Sequence, residues 1–248
     1  PGDLLIIDSY QIDTNDEFIE PSNWLKTICL VDQETPFYKT DYYVGFLDKL
    51  DWPHSKDVSQ TKIISSILNN PIRSIHTKNR RVNENPILSI VVIGGGTDFS
   101  RFAEKIVNTL SKSDANFSCN VFGNIDLKMF DSRFNKVDYG DAYEHILSET
   151  DLTITAAGST VWELCVRKIA FGVACVVKNQ EGNFNYLTEH KLAHPIGKLS
   201  ETNELRIDEA SLFELIDKVD IRNKLRRNLN SLNLGNGAKL ICDLILAN

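Results

Sequence analysis

The sequence predicts an α/β fold built on a parallel sheet with helices on both faces. Three observations carry that prediction. Short apolar runs recur at strand length, over 4–8, 27–32, 88–94, 117–122, 152–156 and 172–177. Several are apolar at successive positions rather than alternating, as strands covered on both faces are. Helical patterns lie between them, and such alternation implies strand–helix–strand crossovers and a parallel sheet.

Taken in order, Leu4-Leu5-Ile6-Ile7-Asp8 predicts a first buried strand and 27–32 a second. From Trp52 to Pro86 the rhythm breaks: the segment is rich in Ser, Asn, Lys and Arg, and its polar end, 78–86, reads as a linker. The chain therefore divides into a partial amino-terminal α/β unit with linker, 1–83, and a fuller Rossmann-like domain, 84–248. In the second part, strand 88–94 leads into a helix whose apolar residues Phe102, Ala103, Ile106, Val107 and Leu110 fall on one face. Further helices are predicted over 142–147, 161–166 and 212–219. A last one, 238–247, follows Gly235-Asn236-Gly237, a turn able to take positive φ. The chain starts at Pro1 and its one Met is Met129, so it is expected to be a segment of a longer protein.

Composition narrows the classes of function. The 248 residues are 42% hydrophobic and 25% charged, with a formal charge of −7. That acidity argues against non-specific nucleic-acid binding, which needs a basic surface to release counterions, and against binding to anionic membranes. No apolar run approaches the ~18 residues that span a bilayer, and no signal sequence opens the chain, so a cytoplasmic protein is expected. The five cysteines are widely spaced without a C-x-x-C and read as small buried hydrophobes in a reducing compartment. The histidines lack zinc-ligand spacing, and neither a metal nor a cofactor is expected.

Three segments stand where a ligand site would be, at the carboxyl ends of predicted strands. The first is Gly94-Gly95-Gly96-Thr97-Asp98. Glycines let the backbone approach a phosphate, and a helix N-terminus offers free N–H groups and partial positive charge. A tight turn capped by Thr97 or Asp98 is the plainer alternative. It is neither a Walker A sequence nor a G-x-G-x-x-G. The second is Gly158-Ser159-Thr160-Val161-Trp162-Glu163. Thr160 and Glu163 have capping-box spacing, so Glu163 either caps its own helix or accepts hydrogen bonds from a ribose diol. The third is Lys178-Asn179-Gln180-Glu181-Gly182-Asn183, either a polar turn or a surface for a polyhydroxylated ligand. Three such loops on one sheet edge are how a nucleotide-sugar pocket is assembled.

These residues also resemble a known family. Gly95-Gly96-Thr97-Asp98, Thr160-Val161-Trp162-Glu163 and Val177-Lys178-Asn179-Gln180-Glu181 are similar to the carboxyl-terminal half of the pseudaminic-acid pathway UDP-sugar hydrolases, GT-B proteins related to the peptidoglycan GlcNAc transferase. Leu5-Ile6-Ile7-Asp8-Ser9-Tyr10 and Cys29-Leu30-Val31-Asp32 resemble the late part of that family's amino-terminal domain. The resemblance implies a GT-B fold and hydrolysis of a UDP-linked diacetamido trideoxy sugar, or the closely related glycosyl transfer in surface-glycan biosynthesis, since both share the pocket and differ only in whether water or an acceptor reaches the anomeric carbon. It implies that Gly95, Gly96 and Thr97 lie against the diphosphate and that Glu163 holds the ribose. Asn179 would lie near the anomeric centre with Gln180 beside it, and Tyr10 would face the sugar. The family's catalytic His, on a glycine-rich loop, has no match here; Ser9 stands where the family commonly has His, and Gln11 where Gly is usual. The alternative is a non-catalytic nucleotide-sugar-binding subunit that needs a partner domain.

Overall fold

The computed structural model describes residues 3–32, 35–48, 52, 54, 63–72, 87–94 and 101–246. It contains two compact units, one formed by Pro1–Ile72 with Leu234–Asn248 and the other by Arg73–Asn233.

In the first unit, β1 (Leu4–Ile7), β2 (Lys26–Val31), β3 (Tyr42–Gly45) and β4 (Ile63–Ser65) form a parallel sheet in that order. Successive apolar residues serve both faces, as the runs predicted. Cys29, Val31 and Tyr43 pack with Ile7, Tyr38 and Trp52 on one face, and Ile28 and Val44 pack on the other. β4 forms inside the segment whose polar composition read as a break; three residues are too short a run to register as a strand.

The second unit begins with β5 (Leu88–Ile93), α1 (Phe102–Leu110), β6 (Phe117–Phe122), β7 (Phe134–Lys136) and α2 (Asp141–Ser148). It continues through β8 (Leu152–Ala156), α3 (Thr160–Arg167), β9 (Ala170–Ala174) and α4 (Glu181–Glu189). It closes with β10 (His194–Leu199), β11 (Leu205–Ile207), α5 (Glu209–Asp217) and α6 (Val219–Asn230). The sheet order is β11-β10-β9-β8-β5-β6-β7, parallel except for the β10–β11 hairpin. Counting from β5, the six parallel strands run 3-2-1-4-5-6, the order of dinucleotide-binding sheets.

The central strands are buried along nearly their whole length: all five residues of β8 and of β9 are, and so are Ile90 to Ile93 of β5. α1 closes one face with Phe102, Ala103, Ile106, Val107 and Leu110, all fully buried, on the predicted stripe. Its four large apolar side chains contribute on the order of 6–12 kcal/mol of burial, an upper bound. At Gly172 in β9 a Cβ would meet Leu215 Cδ2 at 2.9 Å and Ile154 Cδ1 at 3.0 Å, so Leu215 of α5 packs closely over the sheet where that position lacks a side chain.

Two expectations need correction. The helix predicted over 212–219 is two helices, α5 and α6, broken at the extended Lys218. The final helix α7 (Gly237–Leu246), expected with the second domain, belongs to the first unit. Its Ile241 packs on the Ile28–Val44 face, and its first residue sits hard against Asn69 and Asn70. Sequence periodicity defines a helix's apolar stripe but not which sheet that stripe covers. The expected boundary at 83 and 84 lies outside the described residues, as does the polar run 78–86.

Candidate functional site

The order reverses at β5. Chain leaving β5 passes to β6 on one side, while β8 and β9 build outward on the other. Open α/β sheets bind ligands in the crevice at such a reversal, beyond the carboxyl ends of the strands. β5, β8 and β9 are neighbours in parallel register, with Ile93 opposite Thr155 and Ala156 opposite Ala174. The three predicted segments therefore leave the same edge side by side.

Gly94 follows β5 and is buried; its amide donates to the Phe122 carbonyl at 2.8 Å. A Cβ on Gly123, one residue past β6, would lie 3.2 Å from Ala103 Cβ and 3.9 Å from Gly94 Cα. The exits of β5 and β6 and the first turn of α1 thus converge closely. Gly95, Gly96, Thr97 and Asp98 lie outside the described residues. α1 begins at Phe102, where Arg101, in the left-handed region at φ 53°, occupies the N-cap position, and its guanidinium reaches Glu104 at 2.5 Å.

Between β8 and α3, Gly158, Ser159 and Thr160 form the helix entrance. Ser159 holds the N-cap position with helical dihedrals and makes no side-chain cap hydrogen bond. Thr160 is therefore the first helical residue rather than the cap, and the capping-box alignment is displaced by one position. The Val161 and Trp162 amides donate to the Gly158 and Ser159 carbonyls at 3.2 and 3.1 Å. The amides of Ser159 and Thr160, together with the Ser159 hydroxyl, thus stand at the positive end of the α3 dipole. Glu163, half-buried, lies one turn inside, and the Tyr143 hydroxyl donates to its Oε2 at 3.4 Å. Burial, followed by the Glu163 charge, pushes the Tyr143 phenol up, so that it stays a donor.

The segment after β9 is not a loop throughout. Lys178–Gln180 is a single 3-10 turn, and α4 begins at Glu181, so Gly182 and Asn183 are helical. Only Leu187 of α4 is fully buried, too weak an apolar stripe to read from sequence. The turn packs onto the α3 entrance. Gln180 Oε1 accepts from the Val176 amide at 3.1 Å, and Gln180 Nε2 lies 3.7 Å from where a Gly158 Cβ would stand. Asn183 Nδ2 donates to the Ala157 carbonyl at 3.0 Å. Asn179 beside them is partly buried.

The structure thus gathers Gly94, Gly158, Ser159, Thr160, Glu163, Asn179 and Gln180 at one edge. Tyr10 belongs to the first unit, just past β1, half-exposed, with its hydroxyl donating to Asp32 Oδ2 at 2.6 Å. The sequence reading missed an aromatic cluster at the end of β6. Phe122, Tyr139 and Tyr143 have ring centroids 5.2 to 5.9 Å apart, and Tyr139 is 52% exposed. Its signal was a Tyr-x-x-x-Tyr at helical spacing beside a strand end. Among the described residues no group of three or more His, Cys, Asp or Glu is arranged to hold a metal ion. None of the described histidines is on the three segments: His54, in the first unit, packs with Phe37 and Trp52, and in the second unit His145 sits in the last turn of α2, His190 stacks on Tyr186, and His194 opens β10 at the opposite edge.

No protein-family model matches the chain, and no curated protein matches it in sequence. Solved structures match it in fold. MurG of Acinetobacter baumannii superposes with a TM-score of 0.67 at 13% identity, covering 90% of this chain and 66% of that one. The fold is GT-B-like. A putative UDP-N-acetylglucosamine 2-epimerase from Listeria monocytogenes gives a TM-score of 0.57 at 11% identity, covering 89% and 67%. The kitacinnamycin glycotransferase gives 0.51 at 14% identity, covering 82% and 54%. The chain thus spans between 54% and 67% of the length of these three. At such identities the likeness establishes the fold alone. No helix among the described residues is long and apolar enough to cross a membrane.

Proposed function

We propose that the chain binds a nucleotide sugar at the β5–β8 crevice and is a UDP-sugar enzyme of glycosyltransferase type, with hydrolysis of a UDP-linked diacetamido trideoxy sugar as the specific activity. One observation carries this reading: an open helix N-terminus, a carboxylate one turn inside it and an amide pair packed over it leave adjacent strands at the sheet's reversal point. The diphosphate would take the Ser159 and Thr160 amides and the α3 dipole. The glycines of 94–96 and Thr97 would approach it from β5. Glu163, as a carboxylate, accepts two hydrogen bonds at once and suits the ribose diol. Asn179 and Gln180 would meet the sugar, and Tyr139 offers a ring face for the base. Tyr10 from the first unit is the remaining proposed sugar contact. The domain over 84–248 is thus proposed as the nucleotide-sugar-binding part of the chain.

A second reading has its own support. Ser9 stands where the resembled family has His, and none of the described histidines lies among the three segments. In that reading the chain binds a nucleotide sugar without turning it over. One titration separates the outcomes. UDP, CMP and UDP-N-acetylglucosamine are added to the chain while melting and phosphorus resonances are followed. Binding of UDP compounds with release of UDP supports the enzyme; binding without release supports the subunit. Unchanged melting at millimolar UDP refutes both.

A further inference from the structure

We infer that the groove at the β10–β11 hairpin is a second ligand site, suited to a small anionic sugar. The groove encloses about 880 Å³ within the second unit, at the sheet edge formed by β10 and β11 and bordered by α4. That is within the range of small-molecule sites. It stands apart from the β5–β8 crevice, with β9 intervening in the sheet.

The charge arrangement points to the ligand's class. Lys198 on β10 and Arg206 on β11 are direct register partners, so two cations face each other across an antiparallel pair. Like charges in that position destabilise a hairpin. Both side chains are exposed and line the groove, and among the described residues neither has a carboxylate partner. Protection of a sheet edge from unwanted pairing explains one cation on the outer strand. It does not explain a second on β10, which is already paired on both sides. A bound anion explains both, because an Arg fork and a Lys ammonium together neutralise a carboxylate or phosphate.

The rest of the lining suits a polyol. Phe184 of α4 lines the groove, and Thr188, Ser200 and Thr202 bring hydroxyls whose present partners are local: Thr188 Oγ1 donates to the Phe184 carbonyl at 2.9 Å, and the Ser200 and Thr202 hydroxyls pair at 2.9 Å. Of the two lining carboxylates, Asp208 is already committed to α5, where it accepts from the Ser211 amide at 3.0 Å and hydroxyl at 2.9 Å. Glu201 stands on the rim, able to accept from sugar hydroxyls. The rim is ordered in advance: the Ser200 amide donates to the Glu204 carbonyl at 2.9 Å, and the Glu204 amide donates to Ser200 Oγ at 3.2 Å.

The test is calorimetric titration of the full chain with glucuronate, glucose 6-phosphate, glucose and inorganic phosphate, repeated on the Lys198→Ala/Arg206→Ala double variant. Binding of either anionic sugar, weakened about tenfold or more in the double variant, with glucose and phosphate each about tenfold weaker than that sugar, supports the site. Which of the two binds tells a sugar acid from a sugar phosphate. UDP binding is expected to be equal in both proteins, so the outcome stands apart from the reading of the β5–β8 crevice. The double variant should melt no lower than the parent, because it removes a repulsion; if it unfolds, Arg206→Gln alone should show the same loss. No binding of either anionic sugar, undiminished binding by the variant, or phosphate binding as tightly as the sugars overturns the inference.

Discussion

Glu163→Gln separates the two roles open to that residue, because it keeps shape and hydrogen-bonding reach while removing charge. In the free protein the structural loss is small. The carboxylate sits one turn into α3, where a negative charge gains about 0.3–1 kcal/mol from the dipole. Its hydrogen bond from Tyr143 is long, at 3.4 Å. For a unit of this size a loss of about 1 kcal/mol lowers Tm by about 2–4 °C. The ligand effect is larger. Hydrogen bonds to a charged acceptor contribute about 1.5–3 kcal/mol, so UDP should bind about 10- to 100-fold more weakly. At UDP a hundred times the parent's Kd, stabilisation falls from about 2.7 kcal/mol to about 0.4–1.4 kcal/mol. The thermal shift therefore drops from about 5–11 °C to about 1–6 °C. Differential scanning fluorimetry with and without UDP reads both numbers. Tyr143→Phe serves as the comparator, since it removes only the long hydrogen bond and should keep most of the response. A Glu163→Gln protein with the parent's full UDP shift would refute the ribose assignment and leave Glu163 a structural residue.

Three further outcomes follow from packing and burial. Gly237→Ala places a Cβ 2.2 Å from the Asn70 carbonyl oxygen and 2.5 Å from that of Asn69. Docking of α7 should therefore weaken by about 1–3 kcal/mol, seen as faster amide exchange in α7 and in Ile67–Asn69. Cys29, Cys119, Cys165 and Cys175 are buried and Cys242 is exposed, so a thiol reagent should modify one cysteine in the native protein and five after unfolding. Burial pushes the Cys29 thiol from 9.0 to about 12, and Cys175 to about 11. Folded-state values above unfolded ones mean that the unfolded chain loses these protons first. The contribution is fully present below pH 9.0 and is lost as pH rises toward about 12 for Cys29, at up to about 1.4 kcal/mol per pH unit for each thiol. Urea midpoints that do not fall between pH 8 and 10 would contradict that burial.

The candidate site was legible in the sequence where chemistry and backbone geometry share one short segment. Gly158 to Glu163 joins a buried strand to a helix, and both neighbours were readable, so the loop's place at a carboxyl edge followed. For the aromatic cluster the sequence carried only the Tyr139–Tyr143 spacing, which does not reveal that both rings meet Phe122 at the end of β6. The Lys198–Arg206 pair was equally invisible: it depends on hairpin register, and β11 is three residues long.

By itself the sequence determined the covered parallel sheet, through consecutive apolar residues at strand length, and the helical stripe on α1, through its spacing. Those are local properties, set by how side chains point from a pleated strand or a 3.6-residue turn. The strand order, the reversal at β5, the break at Lys218 and the return of α7 to the first sheet were decided by tertiary structure. Each depends on which apolar faces meet across long stretches of chain, and spacing along the chain carries no record of that choice.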